Sequence, residues 1–154
     1  MVNFQEWMKG VYILILRMKE YKNICVGRLG IIHFRRGYYA YVGSARGPGG
    51  FKRVTRHFDV ASGENKTRKW HIDHILPYTE VVCAVFVPTS DDVECSVASA
   101  LATSFEGIKG FGCSDCHCDT HLYFSENDMK AKIIDSCKLI TGNESIIMHP
   151  NVQE

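Results

Sequence analysis

The chain of 154 residues predicts one mixed α/β (α+β) domain, spanning residues 1–154. Three observations point there. Runs rich in β-branched and aromatic residues, at Val11–Arg17, Tyr38–Gly43 and Glu80–Val87, read as strands. Stretches with apolar residues at helical spacing alternate with them, starting near 51, 90 and 125. The composition, 45% hydrophobic and 23% charged, is that of an ordinary globular protein with one core.

The elements follow in order. Val11–Arg17, entered from Gly10, is the first strand. A turn at Lys22-Asn23 leads to a short strand, Ile24–Val26, and a second turn at Gly27–Gly30 leads to Ile31–Arg35. Arg36-Gly37 is a hairpin-type turn into the aromatic strand Tyr38–Gly43. The loop Arg46–Gly50, with three glycines and a proline, connects to a helix over Phe51–Phe58, striped by Phe51, Val54 and Phe58. Residues 60–69 are polar and read as an exposed loop. Trp70–Leu76 is a short helix stopped by Pro77, and Glu80–Val87 is an apolar strand ended by Pro88. Ser90 fits an N-cap for a helix reaching Leu101 or Phe105, with Asp91, Asp92 and Glu94 at its positive end. A glycine-rich loop over 107–112 precedes a last strand at His121–Phe124. Ser125 and Asp128 can cap a final helix through Leu139, with Ala131, Ile134 and Leu139 on its apolar side. The core is then about 10–124, with a helical extension over about 125–154.

The same sequence excludes several classes. The apolar stretches Val11–Leu16 and Val81–Val87 are far too short to span a bilayer. The N-terminus has Glu6 beside Trp7 and no small-residue cleavage site, so it does not read as a signal peptide. A cytoplasmic, reducing location without a membrane partner is the expectation. Seven cysteines, an odd number, argue against a fully paired disulfide framework, and Cys25, Cys83, Cys95 and Cys137 read as small core residues. Net charge is only +1, but its distribution is uneven. Residues 21–58 carry eight Lys/Arg and no acid, whereas residues 91–135 carry nine acids and three lysines. The first half suits phosphate and the second suits metal, partners or solvent.

Hydrolysing a phosphodiester requires an activated water, charge stabilisation on the phosphate and help for the leaving oxygen. Arg53 and His57, at i and i+4, share one helix face, and Arg56 lies on an adjacent one. A guanidinium grips phosphate with two hydrogen bonds, and an imidazole transfers protons near neutral pH. The phenols of Tyr12 and Tyr41 can hydrogen-bond water or a phosphate oxygen. Taken singly, each feature has a plainer explanation, as a solvated helix face or a packed strand aromatic.

Gly10-Val11-Tyr12, then Tyr41-Val42-Gly43-Ser44-Ala45, then Lys52-Arg53-Val54-Thr55-Arg56-His57-Phe58 together resemble the signature of the GIY-YIG nucleases. The resemblance implies a small antiparallel sheet of about three core strands flanked by helices, here with an extra strand pair between the two motif tyrosines. It implies catalytic roles for Tyr12, Tyr41, Arg53 and His57, and one Mg²⁺ or Mn²⁺ held by Glu94. His71 is similar to a second histidine of some members, with a packed surface helix as the alternative. The stretches Cys25–Gly30, Trp70–Asp73, Glu94-Cys95 and Gly110–Cys116 resemble a narrower, largely archaeal subgroup, some of whose members are fused to endonuclease III-type repair enzymes. That match covers residues 10–124.

The implied activity is Mg²⁺-dependent cleavage of DNA, with RNA still open as a substrate, a role in DNA repair beside a repair-protein partner, and Arg46, Lys52 and Arg56 on the phosphates. The rival is a module that keeps the fold and binds nucleic acid without turnover. Finally, Cys113, Cys116, Cys118 and His121 are four candidate Zn²⁺ ligands within nine residues, with His117 a fifth. A hydrogen-bonded thiol turn and a redox disulfide are the alternatives, and an interaction module built on this cluster is a third functional class.

Overall fold

The computed structural model describes residues 8–112 and 118–150. The expected α+β class holds, but the sheet is larger than three strands. Eight strands occur among the described residues: β1 (Gly10–Met18), β2 (Lys22–Cys25), β3 (Ile31–Phe34), β4 (Gly37–Ser44), β5 (Glu80–Pro88), β6 (Glu106–Gly107), β7 (Leu122–Ser125) and β8 (Ile146–Met148). Four α-helices accompany them: α1 (Lys52–Ser62), α2 (His71–Ile75), α3 (Glu94–Ala102) and α4 (Lys130–Thr141). Six strands form one antiparallel sheet in the order β6-β7-β4-β1-β5-β8, and β2 and β3 form a separate hairpin, the extra strand pair expected from the sequence.

Alternation along the central strand β1 builds a layer on each face. Tyr12, Leu14 and Leu16 point to one side, where Val54 and Val60 of α1, Ile72 and Ile75 of α2, and Ile24 and Phe34 of the hairpin cover them. Val11, Ile13 and Ile15 point to the other, against Val97 and Leu101 of α3 and Ile133 and Cys137 of α4. β1 is therefore buried on both faces, which is why it reads as a continuous apolar run rather than an alternating one.

Several boundaries differ from expectation. Helix α1 continues to Ser62 and ends at Gly63, whose φ of 90° suits a left-handed C-cap. Its buried stripe is Val54, His57 and Val60, so His57 faces inward. Helix α3 begins at Glu94, not at Ser90. Thr89 Oγ1 accepts the Asp91 N–H at 3.1 Å, a local turn that competes with helix entry. In α4 the inward residues are Ile133 and Cys137, while Ala131 and Leu139 are exposed. Met129, just before α4, is buried too and sets this i, i+4, i+8 stripe. The segment after α4 is not purely helical, because β8 returns to pair with β5. Cys83 and Cys137 are buried as expected, but Cys25 and Cys95 are exposed. Among the described residues no helix is long and apolar enough to cross a membrane.

Candidate functional site

A cleft of about 370 Å³ opens at the end of the sheet where β1 begins and β4 ends, and Tyr12, Tyr41, Gly43, Ser44, Arg53 and Glu94 are among its walls. Antiparallel register makes this grouping. Tyr12 lies opposite Gly43 and Leu14 opposite Tyr41, so both tyrosines project from the same face. Gly43 is required there: a Cβ would fall 2.3–2.6 Å from atoms of the Tyr12 ring. The ring occupies the space that any side chain at 43 would need.

The loop 46–51 brings the start of α1 across this face. Arg53 reaches the cleft, donates from Nη1 to the Ser44 carbonyl at 3.1 Å, and lies 4.9 Å over the Trp70 ring. His57, one turn later, does not wall the cleft. It is fully buried, with Nε2 2.8 Å from the Tyr12 hydroxyl. Its Nδ1 has no hydrogen-bond partner among the described residues, whichever tautomer is present. Of the four motif residues, His57 is thus the one that does not reach the cleft itself: the helical register turns it behind Tyr12. Burial, reinforced by the Arg56 and Arg53 cations and opposed by Asp73, pushes His57 down to about 3. Burial, helped by Tyr41 and opposed by Arg53, raises Tyr12 well above the usual phenol value. The resting Tyr12–His57 pair is neutral.

Arg56 was expected on phosphate. Instead both terminal guanidinium nitrogens donate to Asp73, at 2.9 and 3.0 Å, and the Asp73 side chain is fully buried. Asp73 also accepts the Lys69 and Trp70 backbone N–H groups at 2.8 and 2.9 Å, which fixes the entry into α2. Burial alone would raise the Asp73 carboxyl; the Arg56 bonds and two backbone donors outweigh it and hold the group below the ordinary value. The Trp70 ring carries Arg56 at 4.2 Å on this assembly as well. Neither Arg46 nor Lys52 walls the cleft, though both are exposed. Arg46 is 3.5 Å from Asp92, a cleft residue. The acid-free stretch 21–58 is thus partly neutralised by acids from elsewhere: Asp92 on Arg46, Asp73 on Arg56 and Glu106 on Arg35.

His71 walls the cleft from α2. Its Nδ1 accepts the Gly112 N–H at 2.9 Å, so Nε2 carries the ring proton. Burial, with a smaller contribution from His74, lowers its pKa and keeps it neutral. Gly112 has φ of 73°, and a Cβ there would crowd Tyr41 at 3.1 Å, so this loop too approaches the tyrosine as bare backbone.

Glu94, the first residue of α3, reaches the same cleft although its helix packs on the opposite face of the sheet. Its Oε1 lies 2.9 Å from Nδ1 of the buried His121, which precedes β7. One oxygen-donor carboxylate beside open volume fits a hard divalent ion that keeps most of its waters. Cys118 and His121 approach each other as the sequence suggested, but with Cys95 as third member; Cys113, Cys116 and His117 lie outside the described residues.

Ser44, Trp70 and Cys95 also wall the cleft and Asp73 supports it; all four lie within the motif stretches, but with no role at the site assigned to them. Trp70 and Asp73 carry a signal in hindsight: an N-cap aromatic followed three residues later by an acid resembles half a capping box. No curated protein and no solved structure shows a significant match to the chain. The family model described as "Domain of unknown function DUF123" matches residues 11–141, from the second residue of β1 to the end of α4, so the chain belongs to the DUF123 family.

Proposed function

We propose that this protein is a metal-dependent endonuclease of the GIY-YIG type, hydrolysing phosphodiester bonds in DNA. The observation that supports this reading most is convergence. Tyr12, Tyr41, Arg53, His71 and Glu94 come from five separate elements, yet they wall one cleft. These residue types together meet the needs of in-line attack on a phosphate.

In this reading Arg53 holds the non-bridging oxygens. Its contacts to Ser44 and Trp70 fix the guanidinium before substrate arrives, which lowers the ordering cost of binding. Tyr12 and Tyr41 orient the attacking water. The water oxygen bonds to phosphorus, the bond from phosphorus to the leaving oxygen breaks, and that oxygen takes up a proton from solvent. The water proton passes to the Tyr12–His57 pair, with Tyr12 the contact and His57 the group behind it. A bound phosphate places negative charge near His57 and raises its affinity for that proton. His71 presents Nε2–H to the cleft as a hydrogen-bond donor. Glu94 would hold Mg²⁺ or Mn²⁺, and such an ion supplies Lewis-acid stabilisation of the charge that develops in the reaction.

The test is cleavage of single-stranded, duplex, branched and lesion-bearing DNA, and of RNA, with Mg²⁺, Mn²⁺ or chelator. Metal-dependent cleavage by the wild type, lost in Glu94→Gln with substrate binding kept, is the expected result. Tight binding without cleavage under every condition would leave a nucleic-acid-binding module in its place.

A further inference from the structure

Cys95, Cys118 and His121 come from two separated parts of the chain. Cys95 follows Glu94 in the first turn of α3, and the other two lie in the segment entering β7. One ligand atom of each lies within 4.8 Å of those of the other two. Both cysteines are thiols rather than disulfide partners. His121 is rigidly set: its N–H donates to the Phe111 carbonyl at 2.8 Å, and its carbonyl accepts the Val42 N–H at 2.9 Å. Cys118 is half-buried against the core layer to which α3 and α4 contribute.

We infer that Cys95, Cys118 and His121 form a binding site for one thiophilic divalent cation, Zn²⁺ being the fitting ion, at the wall of the cleft. Bonds of ~2.3 Å to sulfur and ~2.0 Å to nitrogen in a tetrahedron set ligand atoms about 3.5–3.8 Å apart. The observed triangle needs only to close by about an ångström, within reach of a cysteine side-chain rotation. Two thiolates and an imidazole suit Zn²⁺ and do not suit Mg²⁺, which takes oxygen ligands. Glu94 Oε1 lies 2.9 Å from His121 Nδ1; a small side-chain rotation would let this carboxylate accept from Nδ1–H and orient an imidazole that binds the ion through Nε2. The ion would tie the start of α3 to the segment before β7. It would thereby hold the Glu94 carboxylate in place from behind, while three protein ligands leave a fourth position for water or another donor.

This site is distinct from an Mg²⁺ at Glu94 and does not rest on the nuclease reading, because its test reads metal rather than cleavage. The full chain is purified without chelator, its zinc is counted per chain, and the apo protein is reloaded with Co²⁺. Retention of about one zinc per chain and a thiolate-to-cobalt charge-transfer band are expected. Cys95→Ser and Cys118→Ser should each weaken zinc at least about tenfold in chelator competition and diminish that band. Cys25→Ser, which alters an exposed thiol of the hairpin, should change neither. Cys95 is the more exposed of the two cysteines, so Cys95→Ser keeps the test open if Cys118→Ser fails to fold. Absence of both zinc and the cobalt band in the wild type, or wild-type loading in Cys95→Ser or in a folded Cys118→Ser, overturns the assignment.

Discussion

Acid should withdraw stability through His57, and the structure allows the amount to be worked out. The side chain is buried as a neutral imidazole, with its value lowered from 6.5 to about 3, chiefly by burial. Between those values the unfolded chain binds a proton that the folded chain refuses. Folding therefore weakens as pH falls through 6.5, and the loss continues down to about 3. Going from about pH 7 to about pH 4.5, one such group removes roughly 2.5 kcal/mol, from ~1.4 kcal/mol per unit of difference in protonation. That is a large part of the ~5–15 kcal/mol that holds a typical domain together. The comparison protein is His57→Gln, whose amide can still meet the Tyr12 hydroxyl but does not titrate. Urea unfolding followed by tryptophan fluorescence, repeated across this range, gives the two slopes. The variant should be less stable at neutral pH and flatter toward acid, so the two proteins converge. His71, also lowered by burial, acts with the same sign in both proteins and cancels in the difference. Asp73, held below 3.8 in the folded state, loses its contribution only at more acidic pH. Parallel stability curves for wild type and variant would refute the buried neutral imidazole.

Three further outcomes follow from the same geometry. Gly43→Ala puts a methyl 2.3 Å from the Tyr12 ring, so it should cost about 1–3 kcal/mol in thermal or urea unfolding and displace the hydroxyl from the cleft. Asp73→Ala leaves Arg56 without its paired carboxylate and two backbone donors without an acceptor; a loss on the order of 3–5 kcal/mol is expected by urea titration. Binding of a labelled DNA duplex should weaken steeply with salt. It should fall further in an Arg46→Ala, Lys52→Ala double variant, with Arg56→Ala acting mainly on stability because its fork is already spent on Asp73. A double variant that binds DNA with unchanged affinity and salt slope would exclude these two side chains from the DNA contact.

Strands were legible where side-chain chemistry repeats the backbone period. β1, β4 and β5 declare themselves by β-branched and aromatic runs, and the Gly27–Gly30 and Arg36-Gly37 turns separate the hairpin from β4. β6 and β8 were not legible, because two or three residues carry no period and acquire strand geometry only by pairing with β7 and β5. In α1 the spacing of Arg53, Arg56 and His57 was plain, but not which of them meets solvent. That depends on helix rotation, which Val54 and Val60 set by packing under the sheet. The same rotation gives Arg53 to the cleft, Arg56 to Asp73 and His57 to Tyr12. Cys95 shows the limit most clearly. From sequence it is an apolar helix residue, and only the return of the chain before β7 brings Cys118 and His121 beside it.

The order of the sheet has a consequence for how the chain reaches this state. Its central strand, β1, comes first, and its two neighbours are β4 and β5. The β2–β3 hairpin separates β1 from β4, and α1 and α2 separate β4 from β5. No adjacent hairpin can nucleate the middle of the sheet; each β1 pairing must close a long stretch of chain, and only the β1–β4 pairing brings Tyr12 beside Tyr41. Loop-closure entropy of that kind sets folding of non-local sheets on the millisecond-to-second scale. The β2–β3 hairpin can form early and alone, with its turn bonded between Val26 and Gly30. β1 remains an apolar edge until β5 arrives, so conditions that delay the β5 pairing leave a long apolar strand edge open to aggregation.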